Sequence, residues 1–383
     1  MFFLLSLFRT TACALFLTVA AFAVCTAQEP FPGEPPAQQQ PAPVQQAPAN
    51  LPPPVTDEQL TTPTIRVNTS VVLVPTLVEK SSGEVLYGLQ PKDFKLLDNG
   101  VPQNVHVDED LDSSPVSLVI CVERGRDAAL EFDKFAHLGP LLELFTGQDR
   151  GEVALVVFDS KPIFLEGFEK DTTYIQRDLQ NLPPGDGGAA ILDAAGFSIG
   201  LLENRPADHR RVLLLISETR DHGSHLVTIP QLVERIGTSN TLVLSLTFSP
   251  STAELIDWGR GNTNGGTELN LMAPLVMAIN AMRKNTPKAL ASMSGGEYAP
   301  FTREKGFEDR VAEVANHARN RYMLSFRPTD PTPGLHTIKV SLAENYSAHV
   351  VTRASYWAVN DAASDPQNVP AKSPRTGPAQ PQP

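Results

Sequence analysis

Two hydrophobic rhythms alternate along this chain. Through its middle, short and nearly unbroken apolar runs are separated by stretches with helical spacing. The run at 116–121, Val-Ser-Leu-Val-Ile-Cys, ends abruptly in polar residues. A continuous apolar run bounded this way predicts a strand buried on both faces, as in the middle of a parallel sheet. Comparable runs lie at 153–158, 211–217 and 241–248, with a short one at 297–301 and an antiparallel edge expected at 162–165. Between them, helical patterns cover about 127–145, 174–182, 189–202, 229–236, 287–293 and 307–320. The last carries Val311, Val314, Ala315 and Ala318 on one side. Strand–helix alternation of this kind predicts an α/β fold: a doubly wound, mostly parallel sheet with helices on both faces. Ligands of such sheets sit at the carboxyl ends of the strands, which here means residues 121–127.

The flanks have a β texture instead. Strands are expected at 71–74 and 76–78, with Pro75 as an edge or bulge, and at 94–97. Asp98-Asn-Gly100 then forms a hairpin turn into a return strand at 101–107. Some 45 residues bury too little to stand alone. Three further strands, at 322–326, 335–342 and 348–352, supply a partner. The two flanks are therefore expected to pair into one small β-sandwich. The predicted organisation is a signal peptide at 1–27, a Pro/Gln-rich tether at 28–63, sandwich halves at 64–112 and 321–358, the α/β domain at 113–320, and a polar tail at 359–383. Residues 259–285 read as an insertion, Gly/Asn-rich and then helix-like over 271–282. It is the segment best able to add a private surface, and its apolar helix is equally able to be buried.

Among the 383 residues the net charge is −12, which argues against nucleic-acid binding through phosphate contacts. The first 27 residues are apolar around a single cation, Arg9, and end in Cys25-Thr-Ala27, a small-residue cleavage site. Export to the periplasm, cell envelope or medium follows; a lipoprotein acylated at Cys25 and an uncleaved anchor are the rival readings. Membrane contact is expected only through that signal or a lipid. Cys13 and Cys25 lie in the signal, so Cys121 is the one thiol of the mature chain and no internal disulfide is expected.

No Gly-x-Gly-x-x-Gly or P-loop spacing follows the first buried strand, so nucleotide binding is not expected. Four local patterns, in order, resemble a von Willebrand factor A domain. They are the opening strand at 116–125, Asp149-Arg-Gly-Glu-Val-Ala-Leu-Val-Val-Phe158, Gly187-Gly-Ala-Ala-Ile-Leu-Asp-Ala194 and Val212-Leu-Leu-Leu-Ile-Ser-Glu-Thr-Arg-Asp221. Residues 88–103, Ala289-Leu-Ala-Ser-Met-Ser-Gly-Gly-Glu-Tyr298 and Arg321-Tyr-Met-Leu-Ser-Phe-Arg-Pro328 are similar to the VWFA-related family of the Acidobacterial type. The resemblance spans about residues 65–357.

The resemblance implies a metal-ion-dependent adhesion site built from Asp-x-Ser-x-Ser, a Thr and an Asp. Oxygen donors of this kind suit a hard divalent cation. Here Cys121 stands at the first Asp, Glu123 and Gly125 at the two Ser, Ala189 at the Thr and Glu218 at the last Asp. A degenerate site without a cofactor is expected, with Arg124 or Arg126 in the cation's place, neutralising the glutamates. The alternative is a remodelled site on Glu123 and Glu218, helped by Asp127, Asp186 and Asp221. Two further ideas are weaker: Cys121 as a nucleophile with His209, His222 or His225 as base, and a Zn²⁺ loop at Asp221-His-Gly-Ser-His225. Asp193 reads as a first-turn or packing residue. The chain is thus expected to be no enzyme but an exported, metal-independent protein-interaction module with an unidentified protein partner; a metal-dependent adhesion protein is the alternative.

Overall fold

The computed structural model describes residues 71–108, 114–125, 128–147, 150–248, 274–330 and 332–359. The expected signal, the tether, residues 360–383 of the tail, residues 249–273 (which include 259–273 of the expected insertion), Arg126 and Asp127 lie outside the described residues. Chain contacts divide the sequence into residues 1–65 and 66–383, and every described residue belongs to the second unit. Among the described residues no helix is long and apolar enough to cross a membrane.

The centre is a six-stranded sheet. Its strands are β5 (Val116–Glu123), β6 (Glu152–Phe158), β7 (Pro162–Glu169), β8 (Arg210–Ser217), β9 (Thr241–Thr247) and β10 (Tyr298–Pro300), ordered β10-β9-β8-β5-β6-β7. All pairs are parallel except β6–β7, the expected antiparallel edge. All eight residues of β5 are buried because both faces are covered. Leu118, Ile120 and Val122 enter one core with Phe135, Phe145, Ile175 and Phe307. Val119 and Cys121 enter the other with Ile199, Val233 and Leu290. The chain leaves β5 for β6 on one side and later returns to β8 on the other, so the strand order reverses at the β5–β8 seam.

The helices follow the expected spacing: α3 (Thr173–Gln180), α4 (Ile191–Glu203), α5 (Ile229–Thr238), α7 (Thr286–Ser294) and α8 (Glu304–Arg319). The exception is 127–145. Instead of one helix, the described part breaks into a 3-10 turn (Ala128–Glu131), α1 (Phe132–Phe135), a second 3-10 turn (Gly139–Leu141) and α2 (Glu143–Thr146). Pro140, behind Gly139, removes a donor and disfavours helical geometry before it. Phe135, Leu138, Leu142 and Phe145 are nevertheless all buried on one face, which is the periodicity the sequence displays. The described end of the insertion forms α6 (Pro274–Lys284), with Ala278 and Met282 buried in the core.

Two four-stranded antiparallel sheets come from the flanks. One has β1 (Val72–Lys80), β4 (His106–Asp108), β11 (Tyr322–Phe326) and β13 (Ala348–Thr352), ordered β13-β1-β11-β4. The other has β2 (Phe94–Asp98), β3 (Val101–Gln103), β12 (Gly334–Leu342) and β14 (Ser355–Ala358), ordered β14-β12-β2-β3. Val74, Phe94, Leu96, Leu324, Phe326 and Val340 form one core between them. The Asn99-Gly100 turn has φ of 47° and 84°, as a tight hairpin requires.

Buried cations tie the sandwich to the central domain. The Arg353 guanidinium donates to carbonyls of Ser355, Leu73, Ile236 and Gly237 at 2.8–3.4 Å. The last two carbonyls lie at the carboxyl end of α5, where partial negative charge gathers. Arg321, at the entrance to β11, donates to Gly295 O and to Glu297 Oε2, both at 2.6 Å. Glu297 Oε1 lies 2.9 Å from His317 Nδ1. The Ser294-Gly-Gly-Glu297 turn makes this possible. Gly295 adopts φ +84°, and a Cβ on Gly296 would lie 1.8 Å from Val243 O.

Removing one partner of a buried ion pair strands the other charge, at about 3–5 kcal/mol. Glu297→Gln and Arg321→Met should each lower unfolding free energy by about 3 kcal/mol in urea denaturation, and the double variant should lose less than the sum.

Candidate functional site

The carboxyl ends of β5, β6 and β8 carry the loops where the resemblance places its site. Four of its five positions meet there. The Glu218 amide donates to Glu123 Oε2 at 2.9 Å, across the β5–β8 seam. Glu218 Oε1 pairs with His222 Nε2. Ala189 and His222 exchange two backbone hydrogen bonds of 2.9 Å. Gly125 lies so close to the next loop that a Cβ would stand 2.3 Å from Gly188 O. Cys121 is the fifth position. It lies two residues deeper in β5 and is fully buried in the core beside α4 and α5.

Of the two arginines expected in the cation's place, Arg126 lies outside the described residues and Arg124 pairs elsewhere. Arg124 does not neutralise Glu123 or Glu218. Its Nε and Nη2 contact Asp159 Oδ2 at 3.0 and 2.9 Å, and Asp159 is 4% exposed. The reason is direction. The Arg124 amide donates to Phe158 O at 2.8 Å, so the loop after β5 runs beside the loop after β6. Asp186, expected as a helper ligand, accepts from Ser160 N at 3.0 Å, Ser160 Oγ at 2.5 Å and Gly188 N at 2.9 Å. Asp221 accepts from Leu192 N at 2.9 Å and from Ser224 Oγ.

Neither the cysteine nucleophile nor the Zn²⁺ loop assembles among the described residues. Burial pushes the Cys121 thiol up to about 12, Ser198 lowering it and Glu123 raising it. A thiol held protonated is no nucleophile at neutral pH. His209 sits at the other end of β5, with Nδ1 2.8 Å from Ser117 Oγ. The Zn²⁺ loop disperses as well: His222 faces Glu218, whereas His225 Nδ1 lies 3.1 Å from Gly223 O. Among the described residues, ligand-type side chains gather in threes only at Glu79–Glu297–His317 and at His137–Glu304–Glu308.

Asp193 does more than open a helix. Its buried carboxylate accepts from the amides of His225, Leu226 and Val227 at 2.7–3.1 Å. Three successive donors on one carboxylate fix the 225–227 backbone, and Leu226 is left 64% exposed. Asp159 and Ser160 were not singled out from sequence. They directly follow the buried run at 153–158, and the rule that marked residues 121–127 applies equally there.

The donor set does not match an oxygen-lined Mg²⁺ cradle. Gly125 and Ala189 have no side-chain donor, and the Cys121 thiol is buried and protonated. The Glu123 carboxylate takes a backbone amide, and Glu218 takes an imidazole.

No protein-family model matches the sequence, and no curated protein does. Among solved structures, the chain is similar to an aerotolerance-related membrane protein from Bacteroides fragilis bearing multiple mutations to serine, at TM-score 0.36 and 15% identity, over 52% of this chain and 98% of that one. It is also similar to BatB from Bacteroides thetaiotaomicron, at TM-score 0.35 and 14% identity over 52% and 98%. A third is the vWF domain of the type V pili tip protein Mfa5 from Porphyromonas gingivalis, at TM-score 0.35 and 9% identity over 53% and 94%.

Two measurements check the site. With Cys13 and Cys25 replaced by serine, Cys121 should resist iodoacetamide at neutral pH and react readily once guanidinium unfolds the protein. The Ser160 hydroxyl, then the Gly188 amide, hold the Asp186 carboxyl below its usual range. The Ser160–Asp186 contact should therefore persist above the ordinary Asp pKa and fail as pH falls through the lowered one. NMR titration of Ser160→Ala should show the Asp186 pKa moving up.

Proposed function

We propose that this chain is an exported, non-enzymatic, von Willebrand factor A-like module that binds a protein partner without a metal ion. The partner would meet the face at the carboxyl ends of β5, β6 and β8. The observation that carries this reading is the loop at 221–227. Asp193 and Asp221 anchor its backbone, and it presents His222, His225 and Leu226 outward. A surface fixed before binding loses little conformational entropy on association, and an exposed leucine supplies an apolar anchor. Among the described residues, the candidate ligand carboxylates are taken by other partners: Glu218 by His222, and Glu123, Asp186 and Asp221 by backbone amides. In this reading the five positions Cys121, Glu123, Gly125, Ala189 and Glu218 are a degenerate adhesion site.

Calorimetric titration with Mg²⁺, Mn²⁺ and Ca²⁺ should give no saturable heat that Glu218→Ala removes. Saturable millimolar or tighter binding, abolished by Glu218→Ala, would instead establish the remodelled glutamate site. Partners captured by the mature protein should be retained in EDTA and lost with Leu226→Asp.

A further inference from the structure

The opposite end of the molecule holds a different collection of donors. Glu79, Glu297 and His317 each offer one ligand atom, and the three atoms lie within 4.8 Å of one another. A fourth donor borders this trio through Glu79. The β1–β13 register places His349 directly across from Glu79, with Nε2 3.2 Å from Glu79 Oε2. His317 Nδ1 lies 2.9 Å from Glu297 Oε1. The four side chains come from four segments: β1, the turn before β10, α8 and β13. We propose that Glu79, Glu297, His317 and His349 form a binding site for a Zn²⁺-class transition-metal cation at the junction of the sandwich and the central domain.

The ligand types fit this class. Two imidazole nitrogens and two carboxylate oxygens are donors that Zn²⁺ takes at about 2.0–2.2 Å, which sets neighbouring donors on a tetrahedron about 3.3 Å apart. The pairs at 2.9 and 3.2 Å are close to that spacing, the trio lies within 4.8 Å, and the half-exposed His349 ring must turn from Glu79 toward Glu297 and His317 to complete the set. Mixed nitrogen and oxygen donors also distinguish this site from an all-carboxylate cluster, which would suit Ca²⁺ or Mg²⁺.

The surroundings supply what a metal site needs beyond its ligands. Arg321 Nη2 holds Glu297 Oε2 at 2.6 Å, orienting the carboxylate so that Oε1 faces His317. Such outer contacts fix ligand geometry. His317 is deeply buried, whereas the His349 side chain is 48% exposed and that of Glu79 14%, which gives a cation a route in from solvent. A bound ion would connect β1 and β13 of the sandwich to α8 and the β10 turn, so binding would stabilise the junction.

The test is calorimetric titration of the chelator-treated full-length protein with Zn²⁺. One saturable site of micromolar or tighter affinity is expected, with a raised melting temperature at saturation. His349→Ala and Glu79→Gln leave the buried Glu297–Arg321 pair intact, and each should weaken binding at least tenfold. His137→Ala and His222→Ala, which alter the exposed His137–Glu304–Glu308 cluster and the Glu218 pair, should leave it unchanged. Absence of saturable binding would overturn the proposal and leave the cluster an ion-pair network. A site that survives His349→Ala and Glu79→Gln, or disappears with His137→Ala or His222→Ala, would overturn it equally.

Discussion

The buried pair between Glu297 and Arg321 fixes how the two halves of this molecule meet. Glu297 immediately precedes β10 at one edge of the central sheet, and Arg321 immediately precedes β11 in the sandwich. A single contact thus sets where the chain enters two different sheets. Desolvating both charges is costly, and mutual attraction offsets that cost only when the remaining donors and acceptors are also satisfied. Here Gly295 O takes the second guanidinium arm and His317 takes the second carboxylate oxygen, while Arg321 Nε stays buried without a hydrogen-bond partner among the described residues, so part of the cost is not offset. Arg353 meets the same demand without a carboxylate, through four backbone carbonyls, one pair of them at the end of α5. Apolar packing alone would allow the sandwich to slide over the helices. Directed hydrogen bonds from two buried guanidinium groups do not.

The central architecture was legible because burial on both faces leaves a plain mark. Runs such as 153–158 and 212–216 have no polar interruption, so neither their strand character nor their central place was ambiguous. Most flank strands were legible by alternation and by Asn99-Gly100, but the return strand expected at 101–107 divides into β3 and β4 in different sheets, and β14 was not anticipated. The segment at 127–145 misled because hydrophobic spacing reports which face is buried, not whether the helix is continuous. Gly139-Pro140 interrupts the backbone while Phe135, Leu138, Leu142 and Phe145 keep their common face. The junction left no periodic signal at all. Glu297 and Arg321 sit 24 residues apart in two motifs that were each visible, yet nothing in either motif says that they meet.

The same distinction separates what could and could not be read of the candidate site. Its location followed from topology: strand order reverses between β5 and β8, and Glu123 and Glu218 face each other across that seam. Partner choice did not follow. Opposite charge alone favoured Arg124 or Arg126 with the glutamates, and Arg126 lies outside the described residues. The observed pairing with Asp159 depends on the loop after β5 running alongside β6, fixed by the hydrogen bond from the Arg124 amide to Phe158 O. Backbone direction decided which of several nearby carboxylates the guanidinium could reach.

Carboxylates at the two ends of the molecule show how identical groups acquire different capacities. At the β5–β8 end, the Asp193 and Asp186 carboxylates are consumed largely by amide N–H groups of loops that could not otherwise hold their shape. Withdrawing any of these carboxylates to serve a cation would unpair backbone donors, at about 1–3 kcal/mol each where they are buried. At the junction, Glu79 and Glu297 contact imidazoles, and an imidazole can exchange a proton for a metal while staying in place. A cation entering there would replace protons rather than dismantle a loop. On that physical ground, metal affinity in this fold belongs at the junction, where two carboxylates gather with His317 and His349; at the other end a single imidazole, His222, meets Glu218, and the surrounding loops act as a fixed surface.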